Sequence, residues 1–290
     1  MMHKKEVKRI AIGSIIALVS FTVIFSGVSL GVKAIEASKT EVIETNYNIL
    51  DNGLTNDQVP VDYEQQDYEV KFVGKDQPTK NDLKIKEAAE LTALNVWSIF
   101  REDLSGQTFE MDYEPISKLQ LRPIWRASVW INENLSYELL LDAVTGESYW
   151  IGKTVYHREN IREGLNMELL NSHEEYQQIA KKIIEKHRLF STDIETIKYV
   201  SQGFEKNEMN NKNANITFEA RSKNNERAEL TISTYNKELV SIGYDGWLEA
   251  AERFEKQLEK ELNRDAETFK ITEELFKEVE ETKTPIIMNE

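Results

Sequence analysis

The most regular feature of the chain is a run of alternating apolar and polar positions that occurs twice. LDAVTGESYWIG, residues 141–152, reads as a strand, a tight turn and a second strand, and ISTYNKELVSIG, residues 232–243, has the same outline 91 positions later. Shifted by 91, the whole stretch from Arg126 to Gly152 falls without a gap on Thr217 to Gly243. Glu138 then meets Glu229, Glu147 meets Glu238, Ile151 meets Ile242 and Gly152 meets Gly243. Leu139 and Leu141 alternate as Leu230 and Ile232 do, so one sheet face is apolar in both copies. Upstream, Ile85, Ala89, Ala93, Val96 and Phe100 recur at helical spacing. Tyr176, Ala180 and Ile184 fall opposite the first three, with Ile179 and Ile183 beside them. Ser172 with Glu175 offers a capping box for the second helix, and Thr79 with Asp82 a similar start for the first. Between helix and hairpin, Phe109, Met111 and Tyr113 alternate as one strand, matched by Val200, Gln202 and Phe204.

Each unit therefore reads helix, strand, strand, strand, over 79–156 and again over 171–246. A period near 90 is too long for a solenoid. The expectation is an α+β fold of two repeated, separately folding modules, each with one amphipathic helix packed on its own antiparallel sheet.

Hydropathy outside the repeat changes the picture at the N-terminus. Lys4, Lys5, Lys8 and Arg9 precede an uncharged run of 23 residues, Ile10 to Val32. A spanning helix needs about 20 apolar residues, whereas the core of a cleaved signal is usually about 7–15 long. The segmentation is a cytoplasmic tail at 1–9, a transmembrane helix at 10–32 and a polar stalk at 33–78, with the rest outside the cytoplasm. The alternative is cleavage after Ala34 or Ala37. Within the stalk, Tyr68, Val70 and Phe72 alternate and read as an edge strand. After Gly246 an acidic helical segment, 247–290, carries Trp247, Ala251, Phe254, Leu258 and Leu262 in a narrow stripe.

Charge sharpens the choice of partner. Lys4, Lys5, Lys8 and Arg9 against Glu6 give +3 on the inner side, which leaves −18 of the net −15 for the remainder. Such a chain is repelled by nucleic acid and anionic headgroups and attracts cations or a basic partner. With no cysteine, disulfides, thiolate metal sites and a cysteine nucleophile are excluded.

The hairpin Tyr137-x-Leu139-x-Leu141-Asp142-Ala143-x-Thr145-Gly146-Glu147 resembles the end of the PepSY module, whose last strands read as an alternating run followed by D-A-x-T-G-E. A short hairpin loop needs a residue at positive φ, which Gly146 supplies, while Asp142 and Thr145 bond the turn backbone. In the second copy Asn236 is assigned the positive φ, and Lys237 is not. The resemblance implies a non-catalytic module. PepSY modules occur in propeptides of secreted metallopeptidases, and in tandem on membrane-anchored proteins of spore-forming bacteria, including a germination protein that works with a cortex-lytic hydrolase.

Candidate chemistry is sparse. His173-Glu174-Glu175-Tyr176-Gln177 starts like a zinc-protease helix, but Gln177 stands where the second histidine must grip the metal. His187 lies on an apolar stripe and reads as a hydrogen-bonded, partly buried histidine, and His157 falls in the linker between units. Trp125 alternates with Ala127, Val129 and Ile131 and reads as core. Trp130, on the opposite face beside Arg126 and Ser128, is the candidate partner contact. No catalytic residue, cofactor or metal site is expected. The chain reads as a membrane-anchored, non-enzymatic binding or regulatory protein acting on an envelope or secreted protein such as a peptidase or wall hydrolase. The alternative is a sensory or scaffolding subunit coupled to a membrane kinase or transporter.

Overall fold

In the computed structural model, which describes residues 60, 62–117, 120–156, 166–203 and 214–257, the alternating segments form nine strands and the apolar stripes form helices. In chain order these are β1 (Glu69–Phe72), α1 (Ile85–Phe100), β2 (Thr108–Glu114), β3 (Ile124–Asn132), β4 (Leu135–Asp142), β5 (Ser148–Val155), α2 (Glu174–His187), β6 (Ile194–Gly203), β7 (Asn215–Ser222), β8 (Arg227–Ser233) and β9 (Leu239–Tyr244). A helix follows from 245 and is described to 257. The chain divides into two units after Leu248, and within the second Arg253 pairs with Glu249 at 3.1 Å, one helical turn apart.

The expected pair of separate helix-on-sheet modules is not what forms. All nine strands make one mixed sheet in the order β1-β2-β3-β4-β5-β9-β8-β7-β6, with β1 parallel to β2 and the other neighbours antiparallel. The two four-strand meanders join where their last strands meet, Trp150 opposite Gly243, Ile151 opposite Ile242 and Gly152 opposite Ser241. The reason is an edge. Standing alone, each meander would leave its last strand unpaired on one side, and joining β5 to β9 covers both edges at once. Because Ile151 and Ile242 are themselves 91 apart, the seam lies on a pseudo-twofold axis through that pair.

Burial follows the same axis. Leu139, Ile151, Ile242 and Leu230 lie in one row across four strands and are fully buried under the helices. The main core is continuous through both halves, running from Ala88, Ala89, Ala93 and Val96 of α1 to Ile184 of α2. Burying an isoleucine side chain stabilises by about 1.5–3 kcal/mol, so exposing both seam isoleucines would cost about 3–6 kcal/mol. That is a large share of the roughly 5–15 kcal/mol that holds a typical domain folded. The halves share this main core, and Tyr176, Ala180, Ile216, Phe218 and Ile232 form a second cluster in the second half alone.

Three local readings also shift. Asp82 accepts the Thr79 N–H at 2.6 Å and the Tyr113 hydroxyl at 2.8 Å, so it closes a turn there, and α1 begins later with the Glu87 carboxylate accepting the Lys84 N–H at 2.8 Å. The second expected cap fails likewise. Ser172 donates to Glu174, and Glu175 pairs with Lys237 at 2.5 Å. In β6, irregularities between Ile194 and Thr196 and between Tyr199 and Ser201 change the register, so Tyr199 faces the core and Val200 is 45% exposed. Gln202 does face inward, opposite Ile216, and exchanges two hydrogen bonds with the Asn166 backbone.

The part of the expected stalk that is described is not free of the body. Tyr68 and Val70 are buried, and the Tyr63 and Tyr68 hydroxyls donate to the buried Glu90 of α1 at 2.8 and 2.5 Å. No helix among the described residues is long and apolar enough to cross a membrane. The span read at 10–32, the tail at 1–9, His157, Phe204 and the segment from 258 onward lie outside the described residues.

Candidate functional site

The two hairpin turns set the geometry at opposite ends of the sheet. In the first, the Gly146 N–H donates to the Asp142 carbonyl at 2.9 Å and Gly146 has φ +77°. The Asp142 carboxylate accepts the N–H groups of Val144 and Thr145 at 2.8 and 2.9 Å, and Arg122 and Tyr149 reach its other oxygen at 3.0 and 3.2 Å. Thr145 Oγ1 accepts the Glu147 N–H at 3.3 Å. Burial acts to raise the Asp142 pKa, but the Thr145 and Val144 amides, then Arg122 and Tyr149, hold it below the ordinary value. This carboxylate is structural.

The second turn reproduces that backbone with other side chains. The Lys237 N–H donates to the Ser233 carbonyl at 2.9 Å, and Lys237, not Asn236, sits at positive φ, +62°. Asn236 instead takes Thr145's place, its Oδ1 accepting the Glu238 N–H at 3.1 Å. The hairpin register puts the left-handed angle at the residue 91 beyond Gly146, whichever side chain stands there.

Trp130 projects from β3 on the face away from α1 and α2 and is 40% exposed. Tyr156, just past β5, stacks on it at 3° with centroids 6.1 Å apart, so the indole is braced near the end of β3. Trp125, by contrast, is buried, with Nε1 donating to the Leu83 carbonyl at 2.9 Å.

The same second face carries a feature that sequence reading passed over. Glu138 on β4 lies opposite Gly152, and its repeat counterpart Glu229 on β8 lies opposite Gly243. A Cβ at Gly152 would collide with the Trp150 ring, and one at Gly243 with Trp247. Each glycine therefore has an indole lying over it, beside a glutamate. Both glutamates are crowded by neighbouring atoms yet part-exposed. Burial pushes Glu229 up to about 7, with the facing Glu219 adding to the shift. Glu138 is raised by burial too, and Arg126 offsets part of the effect. The nearby arginines have carboxylates of their own: Arg221 bonds Glu219 at 2.7 Å, Arg227 bonds Asp245 at 3.2 Å and Arg126 bonds Glu114. The one sequence signal was the coincidence of Glu138 and Glu229 under the shift of 91.

The histidines have structural surroundings. His173 flanks the start of α2, its ring stacked on Tyr199 with centroids 5.0 Å apart, and Gln177 donates to the Ile197 carbonyl at 2.7 Å. Burial lowers the His187 pKa, with Lys186 adding to it, while a bond to the Ser98 backbone on α1 opposes. Among the described residues no group of three or more His, Asp or Glu side chains is placed to hold a metal.

No family model and no curated protein matches the chain. Among solved structures, the YpeB C-terminal domain of Bacillus megaterium is similar over 58% of this chain and 66% of its own length. Sequence identity there is 10% and the TM-score 0.35. At that score the likeness carries no argument about function.

Proposed function

We propose that this is a non-enzymatic binding or regulatory protein, anchored in a membrane through 10–32 and acting outside the cytoplasm on an envelope or secreted protein such as a peptidase or wall hydrolase. The observation that carries the reading is the Trp130–Tyr156 stack. An exposed indole that is already braced loses little side-chain freedom on binding, which makes it an effective contact anchor. The hairpin resembling PepSY supports the same class, since its Asp142, Thr145 and Gly146 serve the turn and not a reaction. Cross-linking in the intact envelope, followed by comparison of wild type with Trp130→Ala, tests it. Binding read by the cross-linked species should weaken by about thirtyfold or more in the variant, because truncating a hot-spot aromatic costs about 2 kcal/mol or more. Equal cross-linking would remove the basis of the proposal.

One observation favours the sensory or scaffolding reading as well. The segment arriving from the N-terminal side is fastened to the sheet by β1 and by the Tyr63 and Tyr68 bonds to Glu90, so a displacement there is passed directly to the core. Replacing residues 10–32 by an unrelated anchor separates the two readings. A binder keeps its activity, and a coupled subunit loses it.

A further inference from the structure

The indole-over-glycine arrangement arises twice from unlike positions. Trp150 has Ser241 as its repeat counterpart, and Trp247 has Tyr156, so duplication alone did not produce the likeness. What the two places share is a glutamate directly across from the covered glycine, crowded by protein atoms, with no ion pair or hydrogen bond among the described residues. A crowded carboxylate without a cation is unfavourable. A guanidinium or ammonium arriving there gains a charge-assisted bond to the carboxylate and an attraction to the neighbouring ring face.

We propose that the second face of the sheet binds an extended basic segment of a partner protein, one arginine or lysine entering beside Glu229 and Trp247 and another beside Glu138 and Trp150. The proposal rests on the reading of the chain as a protein-binding one and specifies the partner's chemistry. Three strand separations lie between β4 and β8, about 14 Å, and the two glutamates are offset by two residues along the strands, about 7 Å. The resulting separation of about 16 Å is spanned by about five residues of extended chain. Only alternate side chains of an extended segment face the same way, so the partner's basic residues should stand an even number apart, about four, with their long side chains covering the rest of the distance. Glu229 is the stronger position, because Arg126 already offsets part of the charge at Glu138.

The test is calorimetric titration of the full-length protein in detergent micelles. The probe is a synthetic Gly/Ser/Thr peptide with two arginines four residues apart, against the same peptide with citrulline at both places. The arginine peptide should bind at least tenfold more tightly. Glu229→Gln should weaken it by a similar factor, and Glu138→Gln should do so less. Near pH 6.5, binding should release a proton from Glu229, seen as a dependence of the measured heat on the buffer's ionisation enthalpy. Equal affinity for the citrulline peptide, or binding untouched by Glu229→Gln in a variant that melts normally, overturns the proposal. Should either occur while Trp130→Ala still weakens cross-linking, the binding-protein reading stands and only the basic-segment inference falls.

Discussion

Gly146 and Lys237 occupy one backbone position in two copies of a turn, so substituting each in turn isolates the cost of the left-handed angle. At Gly146, φ +77°, a β-branched residue is strained by about 1–2 kcal/mol. A new Cβ would also lie 2.7 Å from Leu91 Cδ1 and 3.4 Å from Leu83 Cδ1. Leu91 must move, and overpacking of this kind typically adds about 1–3 kcal/mol. Gly146→Val should thus destabilise by about 2–5 kcal/mol, lowering Tm by about 4–20 °C for a domain of this size. Lys237→Gly is the converse change. It relieves the backbone at φ +62° and gives up an exposed ion pair with Glu175 of small worth, so its Tm should be unchanged or higher. Asn236→Val should harm the fold only through the lost bond to the Glu238 N–H. Thermal melts followed by near-UV circular dichroism read all three. A Gly146→Val protein melting with wild type would refute the turn assignment, and a Lys237→Gly protein melting well below wild type would refute the equivalence of the two positions.

Fragments 79–160 and 165–290 should show no cooperative melt separately but recover one when mixed, because the seam isoleucines belong to a common core; a sharp melt of either alone would contradict this. Tyr68→Phe should cost about 1–3 kcal/mol, the penalty for leaving a buried acceptor without its donor, and should increase proteolysis before residue 69, where an unchanged digest would argue against the clamp. Glu229, with an ordinary value of 4.5 raised to about 7, stabilises fully below pH 4.5 and loses up to about 3 kcal/mol as pH rises to 7, so Glu229→Gln should gain on wild type across that window in chemical denaturation. His187, with its pKa lowered from 6.5, contributes in the opposite sense: its stabilisation is present above 6.5 and is lost as pH falls from there through the lowered value, so His187→Gln should flatten the acid side of the curve.

The periodicity in the sequence located the strands well because side-chain alternation is a local property. Leu139 and Leu141 face the core as their counterparts Leu230 and Ile232 do, and the shift of 91 survives even to the register shift after Leu140 and after Thr231. Which edges would join was not legible. Ile151 and Ile242 announce an apolar face, but no pattern along one strand names the neighbour across its edge. The β6 error has the same origin, since the irregularity between Tyr199 and Ser201 exchanges faces without any turn residue to mark it. At Asn236 the side chain tolerates positive φ, but the hairpin register places that angle one residue later, at Lys237. Glu138 and Glu229 were visible as a coincidence, yet in so acidic a chain only their burial singles them out.

The duplication treats the two faces of the sheet differently. On the helix-covered face, counterparts remain apolar, as in Trp125 and Ile216, Leu141 and Ile232, or Ile151 and Ile242, because each lies under a helix, Trp125, Leu141, Ile151 and Ile242 in the shared core and Ile216 and Ile232 in a second cluster with Tyr176 and Ala180 of α2. On the second face they have diverged freely: Trp130 corresponds to Arg221, Ser136 to Arg227 and Trp150 to Ser241. Against that divergence, Glu138 and Glu229 remain glutamates at two places where crowding by neighbouring atoms works against the charge. Packing does not explain them, since glutamine has nearly the same volume and would avoid the cost of burying a charge. A fold that bears this cost twice, on the face where little else is held in common, has a use for the charge there. A basic segment crossing that face is a use that offsets it.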